Sequence, residues 1–410
     1  SETPLVWGGV HVTLLPEQSL ESPYCDVVVR GEGEITVREL AGKLQNNEDL
    51  SGVRGITFKK GNQIISNPDR DFMDMDEIDV ELPYDLVEMD KYSISSFPVH
   101  TSRGCPFRCG FCYNTAFNKR SWRYKSAIHV VDEIEYVVKK FGVKEISFTW
   151  EDEFFINVKR VKKFCEELIR RNIKVKWNAF CHPNTFSKVN AELLELLENA
   201  GCDNLSLGGE SGSQRVLDEI IKKDNKIETL LKATETLSKT KIRQIVSFMS
   251  GMPTETESDL QLTLKLIDKL SRINPNIYVN GIFLYTPYPG TPMFDLVVEQ
   301  YGYEIPDSLD KWAEFGIYRN VGNINWQPPH YIEKCKTISI LTRFPFLKKE
   351  FSFNDISGGI AGERFNKFPF NLAYYFFAKD AVFRWKHRLF KFSYEWKLLE
   401  QGLEKLRGFV

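Results

Sequence analysis

Three of the eight cysteines in this 410-residue chain lie close together, in the run Gly104-Cys105-Pro106-Phe107-Arg108-Cys109-Gly110-Phe111-Cys112. Cysteines at spacings of four and three on a loop containing glycine and proline can direct their sulfurs to one inorganic centre. Thiolates are preferred by zinc and by iron–sulfur clusters. A structural zinc site normally takes four protein ligands, and His100 is a candidate for the fourth. A cluster held by three thiolates would instead keep one iron open for a substrate.

The composition excludes several classes of protein. Apolar residues make up 42% of the chain and charged residues 27%, as in ordinary globular proteins. No apolar run approaches the roughly 18 residues of a membrane-spanning helix. The net charge of −2 argues against a nucleic-acid partner. The few, clustered cysteines do not form a disulfide framework, so we expect a reducing, cytoplasmic location.

Alternating strand and helix patterns surround and follow the cysteine loop. Strand-like runs are predicted at 97–102, 145–149, 174–180, 203–208, 242–249 and 277–284, with amphipathic helices at 127–140, 157–172, 190–200, 226–239 and 257–271. Such alternation indicates a parallel sheet. Six β/α units are too few for the full eight-unit barrel. We therefore expect an α/β fold with a partial (β/α)6 barrel of the TIM type.

The chain is predicted to contain two domains and a remnant of a third. The predicted segments are an α/β piece at 1–66, a linker rich in proline and aspartate at 67–96, the barrel at 97–325 and a helical region at 326–410. In the first segment we expect strands at 5–12 and 26–30 and a helix ending near Leu44. The sequence begins at Ser1, without methionine and close to a strand-like run, so we expect that the chain is trimmed at its N-terminus.

The C-terminal region has its own composition. Residues 331–410 contain 19 aromatic residues, and 15 lysines and arginines against 8 acidic residues. We favour a helical cap that closes the barrel with inward-packed aromatics. The alternative is a surface that recruits a lipid-like or anionic substrate at a membrane without spanning it.

The cysteine loop resembles that of the radical S-adenosylmethionine superfamily, in which Cys-x3-Cys-x-aromatic-Cys follows the first barrel strand. The resemblance continues at later strand ends and is to the branch that includes cobalamin-dependent methyltransferases and the anaerobic Mg-protoporphyrin ester cyclase. The matching runs are Thr149-Trp150-Glu151-Asp152-Glu153-Phe154, Leu207-Gly208-Gly209-Glu210-Ser211-Gly212-Ser213, Met249-Ser250-Gly251-Met252-Pro253 and Thr286-Pro287-Tyr288-Pro289-Gly290-Thr291-Pro292.

The resemblance implies roles for individual residues. Cys105, Cys109 and Cys112 would hold a 4Fe–4S cluster, and Phe111 would pack near the adenine of S-adenosylmethionine. Further cofactor-binding residues are expected at the strand ends: Glu151 and Asp152 near the methionine amino group, Asn178 or His182 in place of the family's arginine, and Gly208, Glu210 and Ser211 near the ribose. The alternatives are a solvated acidic turn for the first pair, a packing role for His182, and a helix cap at Ser213.

The N-terminal piece resembles the last third of a cobalamin-binding domain. The similarity covers Gly8-Gly9-Val10-His11 and Asp26 to Glu34. The Asp-x-His-x-x-Gly loop of many cobalamin domains is absent, so we expect this chain alone to bind cobalamin weakly or not at all. His11 is not assigned as a cobalt ligand.

The implied reaction is reductive cleavage of S-adenosylmethionine to methionine and a 5′-deoxyadenosyl radical, with an electron from flavodoxin or ferredoxin. The expected outcome is cobalamin-dependent methyl transfer to an unactivated carbon of a small-molecule or lipid-like substrate. The alternatives are a radical cyclase or rearrangement enzyme, a non-enzymatic metal-binding protein with a degenerate barrel, and a methylthiotransferase that acts on RNA. The lack of further cysteine triads and of a basic RNA-binding domain counts against the last.

Overall fold

The computed structural model describes residues 3–78, 80–91, 96–148, 153–315, 324–342 and 370–391. The chain forms two compact units. The loop unit comprises 1–77, 104–123 and 286–326, and the sheet unit comprises 78–103, 124–285 and 327–410.

The loop unit contains a four-stranded sheet and short helices. The sheet has the order β1-β2-β3-β4, in which β1 and β2 are parallel and the other pairs are antiparallel. Its elements are β1 (Val6–Gly8), α1 (Val10–Leu14), α2 (Pro16–Glu21), β2 (Val27–Val29), α3 (Glu34–Gln45), β3 (Ile56–Lys60), β4 (Gln63–Ser66), α10 (Pro292–Tyr301) and α11 (Leu309–Ala313). The strand predicted at 5–12 is wrong beyond Gly8, because Gly9 turns the backbone at a φ of 108° and a helix begins at Val10.

The sheet unit is built on six parallel strands, which confirms the predicted α/β class and strand number. Their order is β12-β11-β10-β9-β8-β5. The strands are β5 (Phe97–Pro98), β8 (Glu145–Phe148), β9 (Lys176–Cys181), β10 (Cys202–Glu210), β11 (Arg243–Ser250) and β12 (Tyr278–Leu284). The helices between them are α4 (Ala127–Phe141), α5 (Val158–Arg170), α6 (Pro183–Phe186), α7 (Ala191–Asn199), α8 (Ile227–Leu237) and α9 (Glu257–Ile273).

The first predicted strand, 97–102, is only partly correct. Two of its residues, Phe97 and Pro98, pair with β8. Ser102–Arg103 forms a separate strand, β6, in a different sheet, and Arg123–Tyr124 forms the short strand β7.

Local sequence signals explain where the main helices begin. Side chains of Ser126, Asn157, Asn190 and Thr256 accept a hydrogen bond from a backbone N–H in the first turns of α4, α5, α7 and α9. These caps satisfy backbone donors that have no partner inside the helix. Each of these helices therefore begins directly after a residue whose side-chain oxygen accepts the hydrogen bond that no helical carbonyl can accept.

The described part of the C-terminal region packs on the sheet unit. Helix α12 (Pro329–Leu341) lies against β12 and buries Ile332, Cys335 and Ile338. Trp385 attaches helix α13 (Phe370–His387) to this unit, because its indole N–H donates to Asp268 at 3.1 Å. Within the residues that the structure describes, no helix combines the length and the apolar composition that crossing a bilayer requires.

Candidate functional site

The carboxyl ends of the parallel strands bring four polar side chains to one edge of the sheet, and two of them, His182 and Glu210, belong to the predicted cofactor-binding residues. Glu153 follows β8, His182 follows β9, Glu210 ends β10 and Glu255 follows β11. Ligands of open α/β sheets bind outside the carboxyl ends of the strands. Glu151 and Asp152 lie outside the described residues.

Glu153 is a buried carboxylate that joins the end of β8 to the start of α6. Its Oε2 accepts the backbone N–H of His182 at 2.6 Å. Its Oε1 accepts from the N–H of Phe155 at 3.0 Å and from the Thr185 hydroxyl at 3.1 Å. Burial raises the pKa of Glu153 to about 7 although these hydrogen bonds act to lower it. Glu153 therefore ties the residues that follow β8 to the start of α6.

His182 and Asn178 are both buried, with 7% and 8% of their surface exposed. The Nδ1 of His182 accepts the N–H of Asn184 at 3.2 Å and caps α6, so its Nε2 carries the proton and lies 3.3 Å from the carbonyl oxygen of Lys223. Burial and the nearby Lys223 lower the pKa of His182 to about 2, which keeps the imidazole neutral. The Oδ1 of Asn178 accepts from the Ser147 hydroxyl at 3.1 Å.

Glu210 forms a buried ion pair with Lys223, whose Nζ lies 2.6 Å from Glu210 Oε1. Gly208 makes room for this pair. A Cβ at position 208 would lie 2.3 Å from Glu210 Oε1 and 2.5 Å from Lys223 Nζ. Gly208, which the resemblance implies lies near the ribose, thus has a second explanation, because it accommodates side chains of the protein itself.

Ser211 and Ser213 attach the end of β10 to α9. The Ser211 hydroxyl lies 3.3 Å from Thr263 Oγ1, and Ser211 is fully buried. The Ser213 hydroxyl donates to Asp259 Oδ1 at 2.5 Å, and its oxygen accepts the N–H of Val216 at 3.4 Å, as a helix cap does. The structure therefore places Ser211 in a contact within the protein.

Glu255 shapes the loop after β11. Its Oε2 accepts backbone N–H groups of Gly251 at 2.5 Å and Met252 at 3.2 Å, and the Ser250 hydroxyl at 3.3 Å. Burial raises the pKa of Glu255 to about 7. The side-chain amide of Gln327 also holds this loop, because its Nε2 donates to the Met252 carbonyl oxygen at 2.6 Å.

The loop unit contains the three clustered cysteines. Gly104, just before Cys105, has a φ of 81°, and a Cβ there would lie 1.9 Å from the Ser121 carbonyl oxygen, so the turn requires glycine. Cys105, Cys109 and Cys112 are partly exposed. The remaining five are buried: Cys25, Cys165, Cys181, Cys202 and Cys335. Burial raises the pKa of each of these five thiols.

The donor set of the loop fits a cluster better than a single ion. Within the described ranges, no three His, Cys, Asp or Glu side chains are grouped so that they could hold one metal ion. A cubane cluster accepts its thiolates on separate irons, so its ligands need not converge on one point. Three accessible thiols on one loop meet that requirement.

A chain of hydrogen bonds starts at one of these thiols. Asn114 Nδ2 donates to Cys112 Sγ at 3.7 Å, and Asn118 Nδ2 donates to Asn114 Oδ1 at 2.5 Å. The Nη2 of Arg123 donates to Asn118 Oδ1 at 3.1 Å, while its Nη1 pairs with Glu32 Oε1 at 2.5 Å. Groups around metal ligands orient them and tune the metal. The N-terminal piece thus contributes to the support of a predicted cluster ligand through Glu32.

Sequence reasoning missed Lys223, Asn114 and Arg123. Lys223 lies in the charged run Lys222-Lys223-Asp224, and such a run is typical of an exposed helix end. A usable signal was present for Asn114, an amide donor two residues after the last clustered cysteine.

Comparison with known proteins identifies the middle of the chain. Residues 99–267 match the sequence profile of the Radical SAM superfamily. This segment is a radical S-adenosylmethionine domain. The predicted family is confirmed, and its members are enzymes that use a 4Fe–4S cluster and S-adenosylmethionine.

Similarity to related proteins extends beyond this segment. An uncharacterized methyltransferase of Pyrococcus horikoshii is 34% identical over 299 residues, which cover 72% of this chain and 63% of that protein. The anaerobic magnesium-protoporphyrin IX monomethyl ester cyclase of Cereibacter sphaeroides is 32% identical over 307 residues, with 72% of this chain and 48% of the cyclase covered. The chain thus spans about half to two-thirds of the length of these relatives.

The fold also matches a solved structure. The cobalamin-dependent S-adenosylmethionine radical enzyme OxsB, with aqua-cobalamin bound, superposes with a TM-score of 0.64 at 19% identity, covering 98% of this chain and 62% of OxsB. At this identity the likeness shows the fold alone.

Proposed function

We propose that this chain binds a 4Fe–4S cluster through Cys105, Cys109 and Cys112 and cleaves S-adenosylmethionine reductively. The observation that carries this proposal is the contrast in exposure between these three cysteines and the five buried ones. It is supported by the radical S-adenosylmethionine domain that surrounds them.

The cluster, when bound, supplies the electron that breaks a carbon–sulfur bond of S-adenosylmethionine, and yields methionine and a 5′-deoxyadenosyl radical. The protein binds and orients the reactants. We propose that Glu210 accepts hydrogen bonds from the ribose hydroxyls, that Phe111 packs near the adenine, and that Glu151 and Asp152 lie near the methionine amino group. Asn178 and His182, both buried, are proposed to line the same site.

The decisive experiment is anaerobic reconstitution of the protein with iron and sulfide, followed by dithionite and S-adenosylmethionine. We expect one methionine for each 5′-deoxyadenosine formed. If the wild-type protein forms neither product while a validated relative forms both under the same conditions, the proposal fails. Cys165→Ala is the matched control, because Cys165 is buried in α5.

We propose methyl transfer to an unactivated carbon as the overall reaction, since a methyltransferase is among the relatives. Cobalamin is the expected methyl carrier. The ring of His11 packs edge-on against Trp312 at 5.3 Å, and burial lowers its pKa, as expected for a packed side chain. His11 is therefore not proposed as a cobalt ligand.

Radical cyclisation is a second candidate, because a cyclase is also among the relatives. S-adenosylmethionine with a deuterated methyl group separates the two reactions. Methyl transfer places the label in the product and forms S-adenosylhomocysteine. Cyclisation leaves the label in methionine.

We propose a reducing, cytoplasmic setting, an electron donor of the flavodoxin or ferredoxin type, and a small or lipid-like substrate. Helix α13 supports the lipid-like class, because Phe376 and Phe383 are 63% and 55% exposed near the exposed Lys379 and Lys386. Aromatic and basic side chains together suit an anionic lipid surface. Co-sedimentation with phosphatidylglycerol vesicles, compared with phosphatidylcholine vesicles, tests this, and equal absence from both pellets would contradict it.

A further inference from the structure

Rare backbone conformations surround the ion pair between Glu210 and Lys223. Glu210 has a φ of 57°, and Lys223 is flanked by Lys222 at 56° and Asp224 at 53°. The helix that precedes Lys223, Val216–Ile221, is a π-helix. Non-glycine residues avoid positive φ, and π-helical turns are rare and frequent at functional sites. Such features persist where the surrounding structure enforces them, and they concentrate at sites with a function.

The pair itself is a poor source of stability. Lys223 is 5% exposed and Glu210 is 7% exposed, so both charges have lost most of their water. The desolvation of two charges offsets their attraction, and apolar replacements of such pairs are often no less stable. A role other than stability is therefore the better explanation for a buried pair held by an unusual backbone.

Both ends of Lys223 are fixed. Its carbonyl oxygen accepts the Nε2–H of His182 at 3.3 Å, and its Nζ lies on Glu210 Oε1 at 2.6 Å. The missing side chain of Gly208 leaves space for the two charged groups. Because His182 follows β9 and Glu210 ends β10, Lys223 connects the ends of two neighbouring strands.

We propose that Lys223 is a positioning residue for S-adenosylmethionine, a role that rests on the function proposed above. Among the described residues, Lys223 is the hydrogen-bond donor to the Glu210 side chain, and it occupies Oε1. It holds the carboxylate in one orientation. Oε2 then accepts from the ribose hydroxyls, so the pair selects adenosyl groups that carry a complete ribose.

Binding of two probes to reconstituted protein tests this role. The probes are S-adenosylmethionine and its 2′-deoxy analogue, measured by equilibrium dialysis without reductant. The wild type should prefer S-adenosylmethionine. Lys223→Met should weaken S-adenosylmethionine binding at least tenfold and remove most of the preference for S-adenosylmethionine over the analogue. Glu210→Gln should have the same two effects. Lys223→Arg should retain part of the preference.

The matched control is Lys125→Met, which breaks another buried pair, Lys125–Glu133 at 2.5 Å with both side chains 3% exposed. This variant should keep the wild-type preference between the probes. Melting temperatures of all variants show which ones fold. If Lys223→Met does not fold, the double variant with Glu210→Gln leaves no lone buried charge and is measured instead, together with Lys223→Arg.

The proposal is overturned if folded Lys223→Met, or its replacement, retains both affinity and preference within twofold of the wild type. It is also overturned if both probes lose affinity equally, because the loss would then be independent of the ribose. Formation of 5′-deoxyadenosine by the wild type separates these results from failure of the proposed function. If the wild type cleaves S-adenosylmethionine and the Lys223 variant binds both probes as the wild type does, only the role of Lys223 is refuted.

Discussion

The cysteine loop and the strand ends of the sheet unit support function in opposite ways. The loop offers three accessible thiols, and Cys112 is supported by the neutral amides of Asn114 and Asn118. The strand ends bury their charges, as Glu210 and Lys223 do. The loop that is proposed to receive an inorganic cluster keeps its predicted ligands partly exposed. The strand ends, which are proposed to orient an organic cofactor, fix their polar groups against each other. We expect this difference to give each region a distinct sensitivity to substitution.

The largest effect is expected at the loop. Alanine at Cys105, Cys109 or Cys112 removes one ligand and should abolish stable cluster binding and 5′-deoxyadenosine formation. Iron and sulfide content and the visible absorbance of the reconstituted variants check this. Cys165→Ala should bind iron like the wild type. A loop variant with a full complement of iron would remove the distinction between accessible and buried cysteines.

The strand ends should dominate the pH dependence of stability. Because burial raises the pKa of Glu153 and of Glu255 to about 7, the folded state binds more protons than the unfolded state from about pH 4.5 upward. The unfolding free energy should therefore fall as the pH rises through that window, by up to about 3 kcal/mol for each carboxyl.

Urea unfolding at pH 5 and pH 8 measures this slope. Glu255→Gln should flatten it, whereas Glu299→Gln, at an exposed position in α10, should change it little. Equal slopes for the wild type and for both variants would show that the carboxyl of Glu255 does not carry this dependence.

Gly208→Ala should affect binding more than folding. The new Cβ would displace the Glu210 carboxylate and the Lys223 ammonium, and their burial leaves them little space to move. We expect about a tenfold loss of S-adenosylmethionine affinity, equivalent to about 1.4 kcal/mol. Equilibrium dialysis measures it. Gly42→Ala in α3 meets no atom within 4 Å and is the control. Unchanged affinity in Gly208→Ala would mean that the ion pair tolerates displacement.

The smallest effect is expected from Asn114→Ala. Hydrogen bonds to cluster sulfurs are among the factors that set reduction potentials. Loss of the donor to Cys112 should make reduction harder and move the midpoint potential to a more negative value, with the iron content unchanged. An electron paramagnetic resonance titration of the reconstituted variant measures this. A midpoint potential equal to that of the wild type would mean that the hydrogen bonds between Cys112 and Glu32 serve packing and do not tune the cluster.

The sequence predicted the regular part of the molecule well. Apolar runs bounded by turns located all strands of the six-stranded sheet from β8 to β12, because parallel strands are buried on both faces. The helices that begin after Ser126 and Thr256 were predictable from the same pattern. The strand expected at 5–12 was wrong beyond Gly8, since short apolar runs do not distinguish a strand from a helix.

By itself, the sequence determined the family and predicted the cysteine ligands, because ligand spacing along one loop is a local property. Tertiary structure decided the pairing of Lys223 with Glu210, which is thirteen positions away and is reached only where the π-helical turn returns to the end of β10. It also decided that Glu153 and Glu255 are buried, and hence that their pKa values are raised. Burial and pairing depend on neighbours that are distant in sequence, and these become known only when the strands lie side by side.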